Sequence, residues 1–591
     1  MSSYAGLRTR PGARWTVSES RPEDMAALSR DLGVHRLLAG VLVARGYTTK
    51  QEANLFLWPP LSSLHDPLLM RDMSRAADRI AQAIEAAEPI LLYGDYDVDG
   101  TSSIVILKTA LRLLKANVEF HVPHRLKDGY GMRSEAVEEA AQKGIKLIIS
   151  VDTGIRASEV VRQARVLGID VIVTDHHLPD AELPPAVAVL NPNRLDCAYP
   201  EKNLCGAGVA FKLIQALFER SALFTGDRRR RFLDSFLKLV AIATIADIVP
   251  LTGENRVIVQ RGLAGLRQVN NAGLRALLGI SGLGPGVAPS SHQIAFQIAP
   301  RINAAGRMAS ARDVIDLFLT DDEARATELA CQLDVLNRER QQAEAEIVES
   351  ILAQCELAGD AESAALVFAE SGWHLGVVGI VASRLVERFC RPVFVLSDAN
   401  EEGCLAGSGR SIPGFHLLEA LESMPTLFRK FGGHKQAAGL TIAKENVEEF
   451  RHRFQLFAQT RLTADDMRPQ YIADVEASFA EFSTRSVDDI FTLAPFGFGN
   501  PAPVFFTANA EVAGPPRPLG SSGKHFRVPL RHQGRMMLFN GWNIADRLAL
   551  FETGSRLDVL FTVDDDPLSR ARGYDGWNLS LKDVRVAAGG G

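Results

Sequence analysis

A multidomain α/β protein built around a doubly wound parallel sheet is the fold class the sequence predicts, and three observations carry it. From about Ala76 to Leu251, short β-rich runs alternate with amphipathic helical stretches, as in a parallel sheet covered by helices on both faces. Three of those runs break abruptly into acidic or histidine residues, and such sheets place their sites at the carboxyl ends of their strands. The chain, at 591 residues, is too long for one core, and its length suggests roughly three to five domains.

In chain order, Ile90–Tyr93, Val118–Val122, Leu147–Val151, Val171–Thr174 and Val187–Leu190 read as strands. The helices Thr101–Lys115, Ser134–Lys143 and Ala157–Leu167 fill the gaps between them. Thr320 to Gln354 is a long charged pattern opened by Thr320-Asp321-Asp322-Glu323 as a capping box, and it reads as a helix joining two domains. Its heptads are not sustained long enough to prefer a coiled coil. A second α/β region follows from about Ala364 to Phe457, with strands at Ala365–Phe368 and Val393–Ser397. From about Tyr471, short β-prone runs are split by Gly, Pro and Asn: Val504–Thr507, His525–Leu530, Met536–Phe539 and Val559–Val563. Short strands with little helix predict a small barrel. No internal repeat is visible.

Hydrophobic residues make up 46% and charged residues 23%, so a folded globular chain is expected rather than disorder. The formal net charge of -6 neither demands nor excludes nucleic acid, because carboxylates gathered on a metal are still counted as surface charge. Cys197, Cys205, Cys331, Cys355, Cys390 and Cys404 form no C-x-x-C pair and no zinc spacing, so reduced packing cysteines are expected. Met1 to Trp15 carries Arg8, Arg10 and Arg14 without an apolar segment, unlike a secretory signal. The longest apolar stretch, Phe236 to Leu251, is interrupted by Lys238 and Asp247 and is too polar to span a bilayer. A cytoplasmic enzyme fits these features.

The densest chemistry lies in Leu91-Leu92-Tyr93-Gly94-Asp95-Tyr96-Asp97-Val98-Asp99-Gly100. In an extended segment alternate side chains share a face, so Asp95, Asp97 and Asp99 would converge on one point suited to a hard divalent cation. The competing reading is a solvated acidic turn. Recurrence favours the metal: Leu147–Val151 runs into Asp152-Thr153-Gly154, and Val171–Thr174 runs into Asp175-His176-His177. Asp247, inside the apolar run Ala246–Pro250, must be paired or ligated to escape a large desolvation cost. If all these groups gather they exceed the needs of one ion. Two ions about 3.5–4 Å apart, sharing a carboxylate, are the usual answer and serve displacement at phosphorus. Imidazole among the ligands suits Mn²⁺, with Mg²⁺ the alternative by availability.

Gly94–Gly100, Asp152-Thr153-Gly154, Asp175-His176-His177 and Ala246-Asp247, in this order, resemble the motifs of the DHH phosphoesterase superfamily. Ala299–Arg307, Trp373–Arg384 and Phe431-Gly432-Gly433-His434 narrow the resemblance to its bacterial single-stranded-DNA-specific exonucleases, over nearly the whole length. The resemblance implies residues 1–70 as an N-terminal segment and 71–318 as a DHH catalytic domain. A connecting helix at 319–357, a DHH-associated phosphate-binding domain at 358–465 and an OB-fold DNA-binding domain at 466–591 would follow. It further implies that Asp97, Asp99, Asp152, His176 and Asp247 ligate two metals with Asp152 as the bridge. Asp95 and Asp175 would lie in the immediate shell and His177 would face the scissile phosphate. A carboxylate beside a ligating imidazole fixes its tautomer and orientation.

On the substrate side, Gly432 and Gly433 let a phosphate approach the backbone and His434 can donate to it. Ser408 and Arg410, in Gly407–Ser411, could hold a terminal phosphate, and Arg301 and Arg307 could contact the strand backbone. Each arginine has a structural alternative, an ion pair with a domain-interface carboxylate. Arg228 to Arg231 read as a solvated helix face. Lys524, Phe526 and Arg527 mix cations with an aromatic at strand spacing; a half-buried strand is the plain alternative, and the resemblance favours single-strand binding. The expectation is a 5′ to 3′ exonuclease that degrades single-stranded DNA to mononucleotides in repair and recombination, closing a channel too narrow for duplex. Single-stranded-DNA-binding protein and a helicase are expected partners by resemblance, with the protein a monomer. A hydrolase of pyrophosphate, cyclic dinucleotides or very short RNA, and a non-catalytic scaffold, are the rivals.

Overall fold

The computed structural model describes residues 12–125, 129, 131–358, 363–399, 401–521 and 523–587; Arg8 and Arg10 lie outside them. The chain divides into two compact units. One holds Pro59–Gln342 with Pro495–Pro501; the other holds the N-terminal residues to Trp58 with Ala343–Ala494 and the chain from Ala502 onward.

The first unit is built on a five-stranded, wholly parallel sheet in the order Val118–His121, Ile90–Gly94, Leu147–Val151, Asp170–Thr174, Ala188–Leu190. Alternate side chains of Ile90–Gly94 feed two separate cores, Ile90 and Leu92 one of them, Leu91 and Tyr93 the other. Burial on both faces is why these strands read as continuous apolar runs. Helices Met73–Glu85, Val98–Leu113, Gly206–Arg220 and Gly226–Ala246 pack on the first core, Ser134–Gln142 and Ser158–Val166 on the second. The doubly wound sheet is as the alternation predicts.

Two local readings are corrected. The backbone turns helical at Val98, so Asp99 stands in the first turn of a helix and shares no extended face with Asp95 and Asp97. Asp97 is instead the cap of that helix, its Oδ1 accepting from the N–H groups of Asp99 and Gly100 at 2.9 and 3.0 Å. The long helix runs Glu323–Ala358, and its cap is Asp322, whose Oδ1 accepts from Ala324 and Arg325, rather than a box opened by Thr320.

A buried charge cluster fastens the segment entering this unit. Lys212 and Glu254 pair at zero side-chain exposure. Glu254 also accepts from Tyr199 Oη at 2.7 Å and His65 N at 3.0 Å, while Lys212 donates to the His65 carbonyl at 2.9 Å.

In the second unit, a five-stranded mixed sheet runs Phe428–Gly433, Ala437–Ala443, Cys404–Arg410, Val393–Asp398, Leu366–Ala369, with only the last pair parallel. The C-terminal strands Phe505–Val512, Arg556–Asp565, Trp577–Val586, Arg535–Trp542 and His525–His532 pair in that order, and the first also pairs the last, closing a five-stranded barrel. The N-terminal strand Arg14–Val17 pairs in parallel with Gln470–Ala473, and Trp15 donates to Asp583 at 2.8 Å. None of the six cysteines is in a disulfide, and no described helix is long and apolar enough to cross a membrane.

Replacing Lys212 with Met leaves Glu254 charged and buried without its cation. Calorimetry should show a destabilisation of about 3–5 kcal/mol, largely recovered by Lys212→Met with Glu254→Gln. A single variant as stable as the parent would contradict this role.

Candidate metal centre

Parallel strands end side by side, and the three motif loops therefore meet at the carboxyl edge of the sheet. Asp95 and Asp97 leave the strand Ile90–Gly94, Asp152 follows Leu147–Val151, and Asp175, His176 and His177 follow Asp170–Thr174. Asp247 arrives separately, as the C-terminal cap of Gly226–Ala246. His176 Nε2 lies 3.2 Å from Asp152 Oδ1 and 3.7 Å from both Asp99 Oδ2 and Asp247 Oδ2. Among the described residues, three sets each bring ligand atoms within 4.8 Å: Asp95, Asp97 and Asp152; Asp99, His176 and Asp247; Asp152, His176 and His177. Asp152 thus links the carboxylates on one side to the imidazole on the other.

Close approach here depends on absent side chains. Asp152 sits at φ +59°, and a Cβ on Gly206 would lie 2.7 Å from the Asp152 Cβ. Gly206 also opens the helix Gly206–Arg220, whose first N–H groups, from Gly206 and Ala207, donate to the buried Asp99 carboxylate at 2.5 and 2.7 Å. A Cβ on Gly100 would meet the Asp95 carbonyl oxygen at 2.5 Å.

The electrostatics of the bare cluster are unfavourable. Burial pushes the Asp152 carboxyl well above the carboxylate range, reinforced by Asp99, Asp97, Asp95 and Asp247. Burial and then Asp97 do the same to Asp95; burial and then Asp99 do so to Asp247. Burial also raises Asp99, against the pull of His176. Burial lowers His176, favouring the neutral imidazole that ligates metals. Asp95 Oδ1, Asp152 Oδ1 and His176 Nε2 are buried and have no hydrogen-bond partner among the described residues. Buried oxygen and imidazole donors lacking partners, and aimed at one another, fit divalent cations.

Asp175 is committed elsewhere. Its Oδ1 accepts from the N–H groups of His176 and His177 and contacts His177 Nδ1 at 2.7 Å, and its Oδ2 accepts from Ile155 N at 2.9 Å. The ring it orients is therefore His177 rather than His176. Despite burial, that contact lowers Asp175 and raises His177.

The expected substrate residues divide. Arg301 donates from Nε to Asp334 Oδ1 at 2.9 Å and from Nη1 to the Gln297 carbonyl at 2.5 Å, so the ion-pair alternative is the one observed. Arg307 is half-buried in the same helix, Ala299–Met308. In the second unit, Ser408, Gly439 and Gly432 form one row across three strands, and open space lies where a Gly432 Cβ would be. Arg410 donates to Ser408 Oγ at 2.7 Å; a Cβ on Gly379, in the first turn of Val378–Phe389, would crowd both. Gly433, at φ +145°, precedes the exposed His434.

Phe526 is corrected. It is 2% exposed and packs on Phe551 at 5.0 Å, facing the barrel core. Lys524 is exposed, and Arg527 donates to Asn540 at 2.8 Å. Trp542 is an aromatic on the outer face, 47% exposed, paired in register with His525 and two positions from Asn540. Trp542, Asn303, Gly206 and Gly379 were not singled out individually; the last three lie in or beside small-residue runs, the available signal.

Sequence models of the DHH family N-terminal domain, the DHHA1 domain and the RecJ OB domain match residues 89–244, 362–460 and 473–574. The single-stranded-DNA-specific exonuclease RecJ of Bacillus subtilis is 39% identical over 574 residues, covering 97% of this chain and 71% of that protein. The chain belongs to the RecJ family. RecJ of Escherichia coli is 36% identical, covering 79% of this chain and 82% of that protein. Crystalline RecJ from Thermus thermophilus in complex with Mn²⁺ superposes with a TM-score of 0.82 at 30% identity, covering 98% and 80% of the two chains. The Mg²⁺ complex from that organism gives 0.75 at 28%, covering 98% and 79%. The expected superfamily and its divalent cations are borne out.

Without metal, Asp95, Asp99, Asp152 and Asp247 bind protons more tightly folded than unfolded. The stability they contribute is full below the ordinary carboxylate range and is lost as pH rises through the raised values. His177 acts in the same direction at higher pH; His176 opposes it below its ordinary 6.5, and Asp175 opposes it only below the ordinary carboxylate range. In chelator, melting temperature should fall between pH 5 and 8, and Mn²⁺ should raise it at pH 8 by more than about 3 °C, roughly 2 kcal/mol for a unit approaching 300 residues. A Mn²⁺ shift independent of pH would contradict this cluster.

Proposed function

We propose that this chain is a metal-dependent exonuclease that digests single-stranded DNA from its 5′ end to mononucleotides, in DNA repair and recombination. The observation that carries the reading is the Asp152 carboxylate standing between two sets of ligand atoms in a chain of the RecJ family.

In this reading Asp97, Asp99, Asp152, His176 and Asp247 hold two divalent cations, with Asp152 common to both. When bound, such a pair activates water and neutralises the leaving oxygen. Asp95 helps to position the Asp97 side of the cluster. Asp175 fixes the His177 ring through Nδ1, so His177 presents Nε2 to the scissile phosphate and stabilises its developing charge. The raised proton affinity of His177 suits that donation.

In the second unit, the row Ser408, Gly439 and Gly432, with Arg410, Gly433 and His434, offers hydroxyl, guanidinium and imidazole donors over a glycine floor that a phosphate can approach. Arg307 remains a candidate for the strand backbone; Arg301 reaches a phosphate only by exchanging Asp334. On the barrel, Trp542 stacks a base while Lys524 and Arg527 track phosphates. The protein works as a monomer in the cytoplasm, with single-stranded-DNA-binding protein and a helicase supplying its substrate.

End-labelled single-stranded DNA, incubated with Mn²⁺, Mg²⁺ or chelator beside duplex DNA and pyrophosphate, tests the reading. Metal-dependent release of mononucleotides from the 5′ end of the single strand alone is expected. Asp152→Ala should lose at least about 1000-fold in rate, some 4 kcal/mol, while still binding DNA. Hydrolysis of pyrophosphate alone would move the chain to the small-substrate branch, and binding without cleavage would make it a scaffold. Trp542→Ala should weaken binding of a single strand by about 1–3 kcal/mol. Unchanged binding would remove Trp542 from the interface.

A further inference from the structure

We infer that Asn303 is a positioning residue for the acidic turn Asp95 to Asp99, capping a helix other than its own, and that Gly306 completes the grip. The inference rests on the reading of that turn as part of a metal centre.

A helix leaves its first four backbone N–H groups without partners inside the helix. At the start of Val98–Leu113 the N–H groups of its first three residues are satisfied by two side chains from distant parts of the chain. Asp97 Oδ1 takes those of Asp99 and Gly100 at 2.9 and 3.0 Å, while Thr101 N makes the first regular bond of the helix, to the Asp97 carbonyl at 3.0 Å. The third, Val98 N, donates at 3.1 Å to Asn303 Oδ1, a side chain 205 positions further along the chain. Val98 is buried, so without Asn303 this N–H would have to move to find water. The segment that would move carries Asp97 itself. Among the described residues no hydrogen bond reaches the other Asp97 oxygen, which Asn303 thus helps to leave free for a cation.

The helix Ala299–Met308 touches the same turn a second time. A Cβ on Gly306 would lie 2.6 Å from the carbonyl oxygen of Tyr96, the residue between Asp95 and Asp97. One helix therefore holds the Val98 N–H by a hydrogen bond and the Tyr96 carbonyl by close contact. The Arg301–Asp334 pair anchors this helix in turn to the long helix Glu323–Ala358. Asn303 sets where Asp95 and Asp97 stand relative to Asp152 while touching neither cation nor DNA.

Mn²⁺ titration of the DNA-free full chain, followed by the electron paramagnetic resonance signal of free Mn²⁺, tests this. Asn303→Ala should weaken one class of sites by about 10- to 100-fold and lower kcat, with KM for single-stranded DNA unchanged. Asn303→Asp keeps an acceptor for Val98 N and should recover most of the affinity. Gly306→Ala, pressing on Tyr96, should weaken Mn²⁺ as well. A parental Mn²⁺ isotherm in Asn303→Ala, or equal loss in the Ala and Asp variants, overturns the inference. If Asn303→Ala does not fold, parental affinity in Gly306→Ala overturns it. Asp97→Ala is the reference: if it too binds Mn²⁺ normally, the metal-centre reading fails, whereas its loss beside a parental Asn303→Ala condemns only the positioning role.

Discussion

Buried carboxylates without a counter-charge are the constraint on which the rest of this structure depends. Asp95, Asp99 and Asp152 are buried at one edge of a sheet, with Asp97 and Asp247 beside them. Their mutual repulsion and lost hydration would disfavour the fold unless cations or protons relieve them. The surrounding architecture answers that demand in steps. A parallel sheet brings three loops to the same edge, helix N-termini present N–H groups to Asp97 and Asp99, and Gly100 and Gly206 leave room for carboxylates to crowd together. Such a site is costly empty and stable occupied, which ties metal binding to the integrity of the first unit.

The two units divide the chemistry of a nuclease. One gathers buried carboxylates and imidazoles at a sheet edge, while the other carries the row Ser408, Gly439 and Gly432 across three strands and a closed barrel with an exposed indole. A small diffusible substrate has no use for a strand-binding barrel. A scaffold would have no reason to retain three buried donor atoms lacking partners. Membership of the RecJ family agrees with both arguments.

The sheet was legible because strands buried on both faces leave continuous apolar runs, and because a parallel sheet must place its loops together. Asp95, Asp97, Asp152, His176 and Asp247 could be found from that rule and from the implausibility of acids inside apolar runs. Which face a strand residue occupies was harder to read. His525–His532 alternates strictly, yet nothing local says whether Phe526 or its cationic neighbours face the core; Phe526 lies inside, and Trp542 on the next strand is exposed. Asn303 and the Arg301–Asp334 pair were illegible for another reason. Each joins residues far apart in sequence, and only the packed helix Ala299–Met308 reveals the partner.

The most direct test of the central claim is anomalous diffraction at the manganese absorption edge from crystals of this chain grown with Mn²⁺. The account predicts two peaks about 3.5–4 Å apart on either side of the Asp152 carboxylate, one beside Asp95 and Asp97, the other beside Asp99, His176 and Asp247. A single peak, or density away from Asp152, would contradict it.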